Sequence, residues 1–251
     1  FFPLFPFFIK LLTNLSTIHY LYSGKIISTF SFLISLIIIG KLILKDEKND
    51  ILTTIFFVII FFPTSFFYTA IYNDSLFLLF STLCMYFARK KLFLFSSFMG
   101  AFATLTRLNG LALIFFIFFE YLFNDEGMKN QWNFKKIRYK LYKSISPKEL
   151  IRSKLYFLIL IPISLIVYLL FINIRYGDWN LVFSSMETWN RSKITFPPQV
   201  LWRYLKIIFL DSSISLTYAV ALLELAFVIF YSFISIYSYK KIRFSYWIFM
   251  V

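Results

Sequence analysis

Long apolar runs separated by short charged patches constrain this chain more than any other feature. Residues 26–44, 51–72, 75–88, 92–105, 110–123, 155–174 and 215–238 are almost wholly apolar, and hydrophobic residues make up 60% of the chain. About 20 consecutive apolar residues are what a helix needs to cross a bilayer, and in lipid a helix satisfies its own backbone polar groups. The pattern predicts an all-α polytopic membrane protein, with a single bundle of transmembrane helices over residues 1–251.

The charge pattern supports that reading and orients it. The net charge of +14 invites a nucleic-acid partner. Nucleic-acid readers, however, carry their basic residues on a folded soluble face beside exposed stacking aromatics. Here Lys and Arg sit between apolar runs, where they set topology. Residues 45–50, 89–91, 124–154 and 239–243 hold 17 of the 26 Lys and Arg, so the positive-inside rule places these segments in the cytoplasm. The nine cations of 124–154 read as a cytoplasmic loop rather than a dedicated lipid or RNA site. The single Cys84 cannot build a disulfide or a thiolate metal site. The lone His19 rules out a multi-histidine metal site and leaves a carboxylate site open, so divalent-metal dependence is undecided.

The runs 75–88 and 92–105 hold fourteen residues each, about 21 Å of helix against a hydrocarbon core of about 30 Å. Two arrangements resolve the shortfall. In one, residues 92–123 form a single kinked helix. In the other they form a hairpin whose polar tips, at Asp74 and at Arg107-Leu108-Asn109-Gly110, lie in a water-filled recess below the membrane surface, where irregular backbone is tolerated. A single span would put the nine-cation loop outside, so the charge pattern favours the hairpin. The N-terminal segment, Asp74, Arg107 and the loop 175–211 then share the extracytoplasmic side. Prolines modify the ends: Pro3 and Pro6 argue against one regular helix at the N-terminus, and Pro63 predicts a kink inside 51–72.

Ionisable groups at such places are expensive and face cavities or partners. Asp74 suits either the N-cap of the following helix or a substrate contact. Arg107 suits either pairing with Asp74 or binding a phosphate through its fork. Asn109 and Gly110 suit turn chemistry as well as a site, and Asp178 a loop turn. Trp189 and Arg191 suit an interfacial belt or a substrate mouth. No Ser-His-Asp set is built around His19, and no Gly-rich phosphate loop or dinucleotide fingerprint is present. A carboxylate, an arginine, amides and interfacial aromatics fit a phosphate-bearing lipid and a sugar.

Four blocks in order, FFPLFPFF, FPTSFFYTAIYNDSLFLLFS, LTRLNGL and YGDWNLVFSSMETWNRS, resemble the mannosyltransferases that add the second mannose to glycosylphosphatidylinositol precursors, with their bacterial and archaeal relatives. The resemblance covers most of the chain. It implies a GT-C-like membrane glycosyltransferase that moves mannose, or a related sugar, from a polyprenyl-phosphate carrier to a lipid or protein acceptor on the extracytoplasmic side. It makes Asp74, Arg107, Asn109, Trp189 and Arg191 substrate-binding candidates, Asp74 standing where the family has Glu. The catalytic base it implies, an Asp in the first extracytoplasmic loop, precedes the FFPLFP block and falls upstream of Phe1. No cofactor is implied beyond the polyprenyl-phosphate-mannose donor.

The chain opens at Phe1 without a methionine and stops within the apolar run SYWIFMV, which reads as an internal piece of a longer protein. Short loops favour a prokaryotic member in the plasma membrane over a eukaryotic one in the endoplasmic reticulum. The alternative function is a non-catalytic membrane component such as a transporter or flippase subunit. Transporters build on internal repeats with paired broken helices, and no internal repeat is present here.

Overall fold

The computed structural model describes residues 2–46, 51–123, 139, 154–184, 196–210 and 216–250, and among them every regular element is helical. The helices longer than a single turn are α1 (Leu4–Ser16), α2 (Tyr20–Asp46), α3 (Leu52–Phe61), α4 (Asp74–Arg89), α5 (Phe93–Thr106), α6 (Leu113–Phe123), α7 (Leu160–Tyr176), α8 (Pro197–Leu210), α9 (Leu216–Ser238) and α10 (Phe244–Met250). Short 3-10 turns at Ser65–Tyr68, Leu108–Ala112 and Leu155–Ile159 join or extend them. Among the described residues, three helical stretches are long and apolar enough to cross a membrane: Tyr20–Lys45, Leu155–Tyr176 and Leu216–Ser238.

Proline acts as punctuation, which corrects two expectations. Residues 4–16 form one regular helix despite Pro3 and Pro6, because Pro3 precedes the helix and Pro6 lies in its first turn, where amide hydrogens have no intrahelical acceptor. The run 51–72 is not one kinked span. Phe62, directly before Pro63, is extended at φ −62° and ψ 137° and ends α3 at Phe61, since a residue preceding proline is pushed out of the helical region. Pro162, like Pro6, falls in a first turn and leaves α7 intact.

Helices α4, α5 and α6 run up, down and up through the middle of the bundle. Asp74 at the start of α4 meets Arg107 just after α5, while Arg89 at the end of α4 meets Glu120 near the end of α6. The stretch 92–123 is thus a hairpin and not a single kinked helix. Helix α2 flanks α4, α7 flanks α5, α1 packs on α2 and α5, α10 packs on α6, and α8 packs on α9.

Sequence spacing explains the packing. Leu76, Phe80, Cys84 and Ala88 recur every fourth residue on α4 and form one buried stripe. Helix α5 answers with small side chains: Ser96, Ser97, Gly100, Ala101 and Thr104 are all buried. They let neighbouring helices approach closely, as small residues do in membrane bundles. A Cβ on Gly100 would lie 2.7 Å from Cδ1 of Ile161 on α7. The buried hydroxyls of α5 are satisfied within the helix or across to its neighbour: Ser97 donates to the Phe93 carbonyl at 2.9 Å, Thr104 to Gly100 at 2.9 Å, and Ser96 to the carbonyl of Cys84 of α4 at 2.8 Å.

Candidate functional site

Asp74 is the first residue of α4, and Asn73 before it makes no side-chain cap. The Asp74 carboxylate instead accepts a hydrogen bond from the guanidinium of Arg107, forming an ion pair. Its place in the first turn of α4 also sets a negative charge against the positive helix end. The side chains are 20% and 40% exposed, so the pair lies at a partly open surface. Asn73 donates from Nδ2 to the carbonyl of Thr106 at 2.8 Å, which joins the start of α4 to the end of α5 a second time.

Arg107 owes its position to a break in the helix. Helix α5 ends at Thr106, Arg107 is extended at φ −153° and ψ 143°, and the chain re-enters as a 3-10 turn. Gly110 makes that turn possible by close approach: a Cβ there would lie 2.4 Å from the Thr104 nitrogen and 2.6 Å from its Cα. Only glycine fits against backbone so near. Asn109 is exposed beside it. The amide, the ion pair and the turn therefore gather at one end of the α4–α6 unit.

Next to this end, an apolar groove of about 530 Å³ runs between α5, α7 and the start of α1. Pro3, Phe102, Leu105, Val167 and Phe171 are among its walls. Its one serine, Ser164, donates back to the carbonyl of Ile161 at 2.7 Å, so the groove presents hydrocarbon. Its lining reaches Leu105, two residues from Arg107.

Trp189 and Arg191 fall outside the described residues, so nothing places them near Asp74. Asp178 makes the loop turn expected of it, its Oδ1 accepting from the Asn180 amide at 2.8 Å. Nδ1 of His19 accepts weakly from the Leu21 amide at 3.4 Å, at the start of α2. Among the described residues no group of three or more His, Cys, Asp or Glu side chains gathers.

The opposite end carries a second ionic cluster that sequence reasoning missed. Glu120 is fully buried, and its Oε1 accepts from Arg89 at 2.9 Å and from Arg243 at 3.1 Å. Its Oε2 accepts from the Ser245 hydroxyl at 2.6 Å. Arg243 also donates to the carbonyl of Phe123 at 3.3 Å, at the C-terminal end of α6, where a cation is favoured. The signal for it was a lone acid near the end of an apolar run, with cationic turns at 89–91 and 239–243.

The two clusters differ in what they can do. A buried carboxylate shared by two arginines is fully engaged, and breaking it is costly. A partly exposed pair is worth only about 0–1 kcal/mol, because water screens it. An anionic ligand could therefore compete for Arg107 at little cost, while Asp74 keeps the guanidinium aimed when the ligand is absent.

No family model, no curated protein and no solved structure matches this chain.

Proposed function

We propose that this protein is a multi-pass membrane glycosyltransferase of GT-C type, moving mannose or a related sugar from a polyprenyl-phosphate carrier to a lipid or protein acceptor on the extracytoplasmic side. The observation that carries the proposal is the meeting of Asp74 and Arg107. They come from two separate sequence blocks, stand 33 residues apart, and pair at a partly open helix break beside an apolar groove. Arg107 would hold the carrier phosphate through its fork, and the groove would take the carrier's hydrocarbon chain. Asp74 would orient Arg107 and contact the sugar or acceptor. In this reading Asp74 and Arg107 form a binding wall, and the base that removes the acceptor proton is a separate carboxylate.

The test is sugar transfer from polyprenyl-phosphate-mannose by membranes carrying the wild type, Asp74→Asn or Arg107→Ala. Loss of one anchoring charge–phosphate contact should lower kcat/KM by roughly ten- to a hundredfold for Arg107→Ala, corresponding to about 1.5–3 kcal/mol. Undiminished transfer in both variants would remove these residues from the site. No transfer by the full-length protein with any polyprenyl-phosphate sugar would remove the activity itself.

A further inference from the structure

Two outer helices measure how deep the Asp74–Arg107 pair sits. Helix α2 runs parallel to α4 and is tied to it twice: Ser28 donates to the Tyr72 carbonyl just before α4, and Lys45 donates to the Arg89 carbonyl at its end. Both ties join residues 44 apart, which sets Asp74 level with residue 30 of α2. Helix α7 runs parallel to α5: Ile161 abuts Gly100, Ser164 donates to the Ala101 carbonyl at 3.3 Å, and α7 then passes the turn Leu108–Ala112. The Ser164 tie joins residues 63 apart, which sets Arg107 level with residue 170 of α7.

Both outer helices continue beyond the pair as hydrocarbon surface. Ile26 and Phe30 on α2, and Leu170, Phe171 and Ile174 on α7, are exposed at or above its level. The first charges met are Lys25 on α2 and Arg175 on α7, both exposed. Each stands five residues beyond the level of the pair, a rise of about 8 Å. A cation ends a spanning run at the membrane boundary or snorkels up to it from below, so this is the least depth the two helices allow.

What lies at that depth does not suit hydrocarbon. The Arg107 and Asp74 side chains are partly exposed, and Asn109 beside them is exposed. The chain here runs in turns, from Phe62 to Asn73 before α4 and from Arg107 to Ala112 after α5. Lipid accepts neither an exposed charge nor open backbone; at membrane depth both occur only where protein or water covers them. Protein leaves part of the pair uncovered, and water must cover that part.

We propose that the Asp74–Arg107 pair is the floor of an aqueous vestibule, sunk about 8 Å below the membrane boundary, which brings water and hydrated anions to Arg107. The vestibule follows from helix register and stands apart from sugar transfer. For a carrier phosphate held by Arg107, as proposed above, it means that the phosphate leaves the headgroup plane and descends into the bundle, drawing its hydrocarbon chain lower beside α5.

The experiment places the full chain in phosphatidylcholine nanodiscs and adds a methanethiosulfonate that carries a sulfonate, an anion confined to water. The reagent attacks thiolates, which form in water and not in hydrocarbon. Cysteines are introduced one at a time: Asn109→Cys at the floor, Phe30→Cys and Leu170→Cys at the same depth on the outer helices, and Tyr22→Cys on α2 beyond Lys25 as the fully aqueous reference. Labelling is read as mass gained over time. Asn109→Cys should react at least about tenfold faster than Phe30→Cys or Leu170→Cys. Asp74→Cys repeats the measurement at the floor itself and gives up only a partly exposed ion pair. The native Cys84 is fully buried, so a second label on any chain marks unfolding. If Asn109→Cys and Asp74→Cys react as slowly as the two outer-helix variants, the floor is dry and the proposal falls. If Phe30→Cys and Leu170→Cys react as fast as Tyr22→Cys, the membrane boundary lies at the level of the pair, and the proposal falls for that reason instead. Neither result bears on sugar transfer, which the Arg107→Ala assay tests separately.

Discussion

Replacing Glu120 by Gln removes a charge and almost nothing else. The side chain keeps its shape and an acceptor oxygen, while two guanidiniums, on residues that are 4% and 8% exposed, lose their shared counter-charge. Removing one partner of a buried ion pair costs about 3–5 kcal/mol, because the remaining charge is stranded in low dielectric. Neither arginine is left without partners, however: Arg89 lies in the last turn of α4 and keeps other interactions, and Arg243 retains the Phe123 carbonyl. That compensation sets the expectation near the lower end, about 3 kcal/mol. For a chain of this size about 1 kcal/mol shifts Tm by about 2–4 °C, so Glu120→Gln should melt about 6–12 °C below wild type in the same detergent or nanodisc. The opposite sign is expected when the whole cluster is made apolar. A Glu120→Leu, Arg89→Met, Arg243→Met triple variant should melt above Glu120→Gln and close to wild type, since well-packed hydrophobic replacements of buried ion clusters are neutral or stabilising. A Glu120→Gln variant within about 2 °C of wild type, together with a triple variant that melts lower than the single one, would refute the burial argument.

Other substitutions separate packing from backbone strain. Gly110→Ala places a Cβ 2.4 Å from main-chain nitrogen and should prevent stable accumulation of the protein or lower Tm by more than 10 °C. Gly177→Ala meets no atom within 4 Å but sits at φ 76°, so it should cost only about 1 kcal/mol in a melting experiment. Asn73→Ala deletes the 2.8 Å bond to Thr106 and should cost about 1 kcal/mol by the same measurement. Swapping the charges with Asp74→Arg and Arg107→Asp together should leave stability within about 1 kcal/mol of wild type, a Tm change of no more than about 2–4 °C, given the exposure of the pair, yet abolish any transfer that depends on Arg107 facing a phosphate.

Helix positions were legible wherever a run of apolar residues ended in a charge. The expected runs 75–88, 92–105 and 110–123 lie close to α4, α5 and α6, and the Arg107 break stood out because a guanidinium interrupts an apolar pattern. Proline was the misleading letter. The same residue starts α1, ends α3 and passes unnoticed in α7, and only its position within a turn, which periodicity does not report, separates these outcomes. Glu120 was illegible for another reason. Its partners lie 31, 123 and 125 residues away, and no local spacing encodes contacts of that range. The Asp74–Arg107 pair spans 33 residues too, but there the hairpin argument brought the two together first.

Helix α4 is anchored ionically at both ends, Asp74 to Arg107 and Arg89 to Glu120. This makes its length in residues a strict quantity. One inserted residue anywhere between Leu76 and Ala88 turns everything downstream by about 100° around the helix axis and advances it by about 1.5 Å. If Asp74 stays seated, Arg89 then swings away from Glu120; if Arg89 stays seated, Asp74 swings away from Arg107. Natural variation in α4 should therefore proceed by substitution, with insertions and deletions confined to the turns beyond its ends.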